Sequence, residues 1–271
     1  MTSSYQIAVA QASFENGDIS SNLTKMEKIA DQCIKNFPNV RLLLFPELAA
    51  TGYFLSETIK EIAQEWDGFI FERMSRFAER LQLYTAYGYV EKDQDGNIYN
   101  SLMLVSSKGK CVGNYRKIHV TPLEKSLFTP GSKPVIAETE LGRIGLMICW
   151  DLAFPELARH LAVKGAELLL VPCAWESPFH VPFQKFCMAR AIDNTVYLAA
   201  CNQIGTSSQL HFFGLSSIYG PAGNRITSAK ENREDIIVAE VDHSWGEKLK
   251  RTFYTMMDER RTDLYKVGDW I

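Results

Sequence analysis

The stretch Gly145-Leu-Met-Ile-Cys-Trp-Asp-Leu-Ala-Phe-Pro-Glu156 decides how the rest of the chain is read. It lies across the end of an apolar run, Ile144 to Ile148, with the length and bulk of a buried strand. The run stops at Cys149. Trp150 and Asp151 follow, and Pro155 opens a helix expected over Pro155 to Lys164, since proline suits the first helical turn. A cysteine at a strand-to-helix turn presents its sulfur at a sheet edge, near backbone N–H groups and a helix N-terminus. That setting lowers a thiol pKa and holds a developing oxyanion. The alternative is a small buried hydrophobe, and the rest of the chain must discriminate between the two.

Working outward, the composition bounds the classes available. The chain has 271 residues, 46% hydrophobic and 23% charged, enough for a large core in a soluble globular protein. A formal charge of -3 gives no reason to expect nucleic acid or an anionic membrane as partner. No apolar run approaches the ~20 residues of a membrane span. The start, Met-Thr-Ser-Ser-Tyr-Gln, carries neither the basic nor the apolar region of a secretory signal, so a cytoplasmic location is expected. Cys33, Cys111, Cys149, Cys173, Cys187 and Cys201 are scattered without paired spacing, so reduced thiols are expected rather than disulfides or a metal site. Glycine-rich phosphate loops and zinc-ligand motifs are absent, so no cofactor and no metal is expected.

The pattern alternates strands and helices. Strands are expected at Tyr5–Ala12, Val40–Phe45, Thr85–Val90, Ile98–Ser106, Cys111–Val120, Ala166–Val171, Val196–Cys201, Phe213–Tyr219 and Ile236–Val241. Helices are expected from a Ser20 or Ser21 cap to about Asn36, over Phe69–Leu83 and Pro182–Asn194, and from His243 to about Arg261; Ile59–Ala63 also has helical spacing. No Pro/Gly/Ser-rich linker divides the chain, so one domain over 1–271 is expected. One internal echo stands out. A helix followed by Val40-Arg-Leu-Leu-Leu-Phe-Pro-Glu47 resembles a helix followed by Ala166-Glu-Leu-Leu-Leu-Val-Pro-Cys173. Apolar strands of this kind suit burial on both faces, giving an α/β fold of two mixed sheets packed face to face with helices outside.

A thiol that performs acyl transfer needs a proton acceptor, a positive charge near the oxyanion, and groups that orient both. Glu47 ends a buried strand, where a carboxylate is costly unless paired. Lys117 lies within another expected strand and likewise needs an anion. Each residue, taken singly, is also consistent with a structural ion pair or with core packing.

Three segments carry a family resemblance. Leu43-Leu-Phe-Pro-Glu47-Leu-Ala-Ala-Thr-Gly-Tyr53, Asn114-Tyr-Arg-Lys117-Ile-His119 and the Cys149 stretch resemble, in order and spacing, the three signatures of the nitrilase superfamily of carbon–nitrogen hydrolases. Glu124 and Phe128-Thr-Pro-Gly131 match a loop after the lysine; Ala189-Arg-Ala-Ile-Asp-Asn194 and Arg260-Arg-Thr-Asp-Leu-Tyr265 match later landmarks. The resemblance implies a four-layer α-β-β-α sandwich. It implies Glu47 as general base, Lys117 as cationic stabiliser and proton donor, Cys149 as nucleophile and Glu124 as a second, positioning glutamate. It also implies a homodimer or higher homo-oligomer, with the C-terminal tail (about 255–271) reaching a partner subunit, and it requires no cofactor. The backbone N–H of Trp150 would share the oxyanion with Lys117.

The resemblance to amidase-like branches favours a small linear amide as substrate, cleaved to acid and ammonia or amine through a thioester. An N-carbamoyl amine amidohydrolase, a nitrilase and an acyl transferase use the same intermediate, and Asp151 stands where nitrilases tend to carry glutamate. A non-catalytic interaction protein would be expected to have lost Glu47, Lys117 or Cys149. A Cys149–His119 dyad competes for the base role, because His119 would share a strand face with Lys117. Tyr53, Trp150 and Trp175 are candidate pocket walls. Phe179 fits ordinary packing better, Cys173 is expected to line the pocket as a small residue, and Arg190 to be structural.

Overall fold

The computed structural model describes residues 4–264. The chain begins with β1 (Ser4–Gln11), α1 (Ile19–Asn36), β2 (Val40–Leu44), α2 (Phe69–Leu81), β3 (Tyr84–Lys92), β4 (Ile98–Val105) and β5 (Cys111–Arg116). There follow β6 (Val135–Thr139), β7 (Gly142–Leu146), α3 (Pro155–Val163), β8 (Leu168–Cys173), α4 (His180–Asn194) and β9 (Tyr197–Asn202). β10 (Ile204–Ser207), β11 (Leu210–Phe213), β12 (Ser217–Tyr219), β13 (Arg225–Ser228), β14 (Asp235–Asp242) and α5 (His243–Thr252) complete it. None of the described helices is long and apolar enough to cross a membrane.

Two six-stranded mixed sheets form, in the orders β14-β1-β2-β3-β4-β5 and β13-β12-β9-β8-β7-β6. In the first, β1, β2 and β3 run parallel and the outer strands pair antiparallel. The second repeats that plan with β7, β8 and β9. The sequence echo is therefore structural: β2 and β8 are each the middle of three parallel strands. Alternation sorts the side chains. Ile7 and Val9 of β1 join Leu42, Leu44, Leu168 and Leu170 in the core between the sheets. Ala8, Ala10 and Leu43 face Leu23 and Met26 of α1 and Met74 and Phe77 of α2. Both faces of the central strands are buried over Leu42–Leu44 and Leu168–Cys173, which is why β2 and β8 read as apolar runs, broken in β2 only by the half-buried Arg41 near its start.

Several sequence boundaries shift. Asp18, not Ser20 or Ser21, caps α1, its Oδ1 accepting from the Ser21 amide at 2.9 Å. The strand expected to reach Val120 ends at Arg116, because the next amides leave the ladder: Ile118 N–H donates to the Tyr115 hydroxyl at 3.2 Å and His119 N–H to Asp151 at 3.1 Å. The strand expected over Phe213–Tyr219 is split by Gly214 and Leu215, both at positive φ. A Cβ on Gly214 would lie 2.6 Å from the Gln11 side chain, so the chain must bend there. The last helix stops at Thr252, where the Phe253 and Tyr254 amides both turn back onto the Leu249 carbonyl. A short 3₁₀ turn, Thr255–Met257, follows. Strand β6, which the sequence reading lacked, pairs along the whole of β7. The tail to 271 and the landmark ending at Tyr265 extend beyond the described residues.

Candidate active site

Glu47 follows β2, Lys117 follows β5, and Cys149 follows β7 after Met147 and Ile148. The first two thus come from one sheet and the third from the other. Glu47, Lys117 and Glu124 are at most 1% exposed, and Cys149 is 7% exposed. Lys117 Nζ lies 2.8 Å from Glu47 Oε1 and 2.9 and 2.8 Å from the two oxygens of Glu124. Burial of a lysine is tolerable here because two carboxylates compensate it. Asn100, from β4, donates to Glu47 Oε1 at 2.7 Å and to Glu124 Oε1 at 3.3 Å. The Tyr53 hydroxyl and the Thr121 amide complete the shell of Glu124, at 3.2 and 2.8 Å. Glu47 Oε2 is buried with no hydrogen-bond partner of its own. The Cys149 thiol lies close enough to the Glu47 carboxyl to contribute, after burial, Lys117 and Glu124, to its ionisation.

Local backbone fixes these positions. Gly88 of β3 lets the chain after Glu47 pass at close range; a Cβ there would lie 2.2 Å from the Leu48 amide nitrogen. The loop after the lysine clamps it, the Gly131 amide donating to the Lys117 carbonyl at 2.8 Å. Cys149 has φ +46°, a conformation that costs a non-glycine residue free energy, and opens a 3₁₀ turn, Cys149–Ala153. Amides in a first helical turn have no partner inside the helix, which leaves the Trp150 N–H available to an oxyanion. Asp151 locks this turn: its carboxylate accepts from the Ile148 amide at 2.8 Å and the Tyr115 hydroxyl at 2.7 Å, and also meets His119 Nδ1 at 2.7 Å. Arg190 Nε donates to the Leu152 carbonyl at 3.0 Å, so this arginine has the expected structural part.

The charges sort the two glutamates. Burial pushes the Glu47 carboxyl above the usual carboxylate range; Lys117 opposes the shift and the Glu124 charge adds to it. Burial acts in the same direction on Glu124, but Lys117 and the Thr121 amide outweigh it and hold that carboxyl below the usual range. Burial would lower the Lys117 pKa, yet the two carboxylates overcome it and keep the ammonium charged. The thiol departs from expectation. Burial, then contact with Cys173 and the Glu47 charge, push Cys149 well above the ordinary cysteine range, against the pull of Lys117. Burial first, with the Glu47 charge adding to it, thus favours the protonated thiol at rest.

A cavity of about 410 Å³ opens on Cys149. Tyr53, Trp150 and Trp175 line it, and so does Phe179, for which the sequence favours ordinary packing. Cys173 does not line it: this residue is fully buried, with its thiol donating to the Val171 carbonyl at 3.3 Å. His119 is stacked on Phe154, with centroids 3.7 Å apart, and held by Asp151, so the Cys149–His119 dyad is not formed. The sequence reading missed Asn100. Its signal is a polar pair, Asn100-Ser101, inside an otherwise apolar strand. Among the described residues no group of three or more His, Cys, Asp or Glu side chains is arranged to hold a metal ion.

The family described as carbon-nitrogen hydrolase matches residues 6–250. The chain belongs to this family. A probable nitrilase of Schizosaccharomyces pombe is 38% identical over 263 residues, 96% of this chain and 97% of that protein. The structure of Nit3 from Saccharomyces cerevisiae, a nitrilase-superfamily member, is similar with a TM-score of 0.87 at 26% identity, covering 93% of this chain and 95% of the other. An amidase of Nesterenkonia sp. AN1 is similar with a TM-score of 0.85 at 25% identity, covering 97% and 95%; a mutant of it was solved with the acetamide moiety of fluoroacetamide added covalently at the active-site cysteine. This carbon–nitrogen hydrolase therefore belongs to the nitrilase superfamily, in its amidase-like branch, and shares its fold of two mixed sheets flanked by helices.

Proposed function

We propose that this carbon–nitrogen hydrolase cleaves linear amides to a carboxylic acid and ammonia or an amine, through a thioester on Cys149. The observation that carries this reading is that the Cys149 thiol, which lines the cavity, has the buried Glu47–Lys117 pair acting directly on it. Glu47, with its raised pKa and free Oε2, acts as the base that takes the thiol proton as sulfur attacks the amide carbon. Its opposite number, Glu124, stays ionised and holds Lys117. Environments that push two carboxyls apart assign them different parts. Lys117 and the Trp150 amide hold the oxyanion, each such donor contributing about 3–4 kcal/mol. The proton on Glu47 passes to the departing nitrogen. Glu47 then deprotonates a water that opens the thioester, and the thiol recovers its proton.

Ammonia release from a panel of linear amides, N-carbamoyl amines and nitriles tests the reaction class. Cys149→Ala is expected to abolish turnover with an unchanged circular dichroism spectrum, and Glu47→Gln to reduce it by several orders of magnitude. Near-normal turnover in either variant sinks the assignment. Hydroxylamine added during turnover measures any competing acyl transfer as hydroxamate.

A further inference from the structure

Thioester chemistry engages only the carboxamide end of a substrate. The remainder meets the cavity wall, and that wall is uneven in charge. Among the described residues lining it there is no Lys, Arg or His, and Glu176 supplies the one charged side chain. The cation acting on Glu176 is Lys117, which Glu47 and Glu124 already share. The residue is fixed rather than free. Its backbone bridges to Phe212, its carbonyl accepts from the Phe179 amide at 3.0 Å, and the preceding Trp175 amide is held by Asn202 at 2.7 Å.

Beside this carboxylate the wall is aromatic. Trp150 and Trp175 have centroids 5.7 Å apart, and Trp175 and Phe186 6.1 Å. Ring faces together with one carboxylate suit an ammonium group. A carboxylate entering the same space would meet Glu176 and, behind it, Glu47 and Glu124 sharing the single ammonium of Lys117, and no Lys, Arg or His among the described lining residues would receive it. Burial pushes the Glu176 carboxyl above its usual range, a shift that a bound cation reverses.

Resting on the amide-hydrolase reading, we propose that the natural substrate is a linear amide or N-carbamoyl amine with a positive charge at the end remote from the scissile bond, and that Glu176 selects it. Glu176 is a specificity residue here and takes no part in bond making.

The test compares three amides of similar length on the purified enzyme: ω-aminovaleramide, ending in ammonium; hexanamide, with a methyl in its place; and glutaramate, ending in carboxylate. The expected kcat/KM is roughly 10- to 100-fold higher for the first than the second, and lowest for the third, with the difference carried by KM. Glu176→Gln should bring the ammonium-to-methyl ratio toward one, and Glu176→Lys should shift preference toward glutaramate. Each ratio is taken on one preparation, so loss of folded protein cancels. Calorimetric binding of the same amides to Cys149→Ala, with and without Glu176→Gln, gives a readout independent of turnover. A wild-type preference for glutaramate overturns the proposal while leaving amide hydrolysis intact, as does a ratio that Glu176→Gln fails to move. If no amide is turned over, the hydrolase reading fails, and the binding ratio alone then decides whether Glu176 selects a cation.

Discussion

Asn100 is a neutral amide placed where two like charges meet. One Nδ2 serves both Glu47 and Glu124, while its Oδ1 is buried without a partner. Replacing it with alanine removes donors from two buried carboxylates. We expect Asn100→Ala to lose about 1–3 kcal/mol of stability and to lower kcat roughly 10- to 100-fold, measured by thermal melts and steady-state ammonia release. Unchanged kcat would mean that Lys117 alone holds Glu47 in place. At this scale Glu47, Lys117 and Cys149 were legible because each is a costly or reactive group beside an apolar run. Asn100 was not, because a lone amide in a strand reads as a solvent-facing position. The ionisation of Cys149 was read the wrong way. Its turn favours the thiolate, but burial and the Glu47 charge oppose it, and those depend on residues far away in the chain.

Two elements carry their own expectations. At Gly88 the strand β3 lies against the chain that bears Glu47, with no room for a Cβ. Gly88→Ala must push the Glu47–Leu48 backbone outward, and a displacement near 1 Å is enough to cost roughly 100-fold in rate. We expect kcat to fall by that order together with a lower melting temperature. The second concerns α5, whose first residue, His243, pairs with Glu167 at 3.2 Å. The pairing with Glu167, partly offset by burial, raises the His243 pKa, and the same pairing lowers that of Glu167. The histidine's contribution to stability is thus complete below the ordinary histidine value of about 6.5 and is lost as pH rises through its raised folded value. The glutamate's share is lost only in acid, as pH falls through its lowered folded value. The melting-temperature gap between wild type and His243→Gln should therefore be larger at mildly acidic pH than at alkaline pH; a gap constant with pH would refute this linkage. Most elements were legible from periodicity and turn residues. The early end of β5 was not, since Ile118 and His119 spend their amides on Tyr115 and Asp151, contacts that no local pattern announces.

Across the whole molecule, the fold was legible from the duplicated helix–strand pattern, because Leu42–Leu44 of β2 and the whole of β8 are buried on both faces and carry no alternation to disguise them. Leu44 belongs to the layer between the sheets and is fully buried. Leu44→Ala should cost about 2–5 kcal/mol, read as a shift of the denaturant midpoint, and should also depress kcat. The site itself spans that layer: the Glu47 carboxylate and the Lys117 ammonium follow strands of one sheet, the Cys149 sulfur a strand of the other. Turnover is in effect a caliper on the gap between two slabs. Gentle warming that eases them apart by about 1 Å is expected to slow the chemistry roughly 100-fold while every ladder of strands still holds.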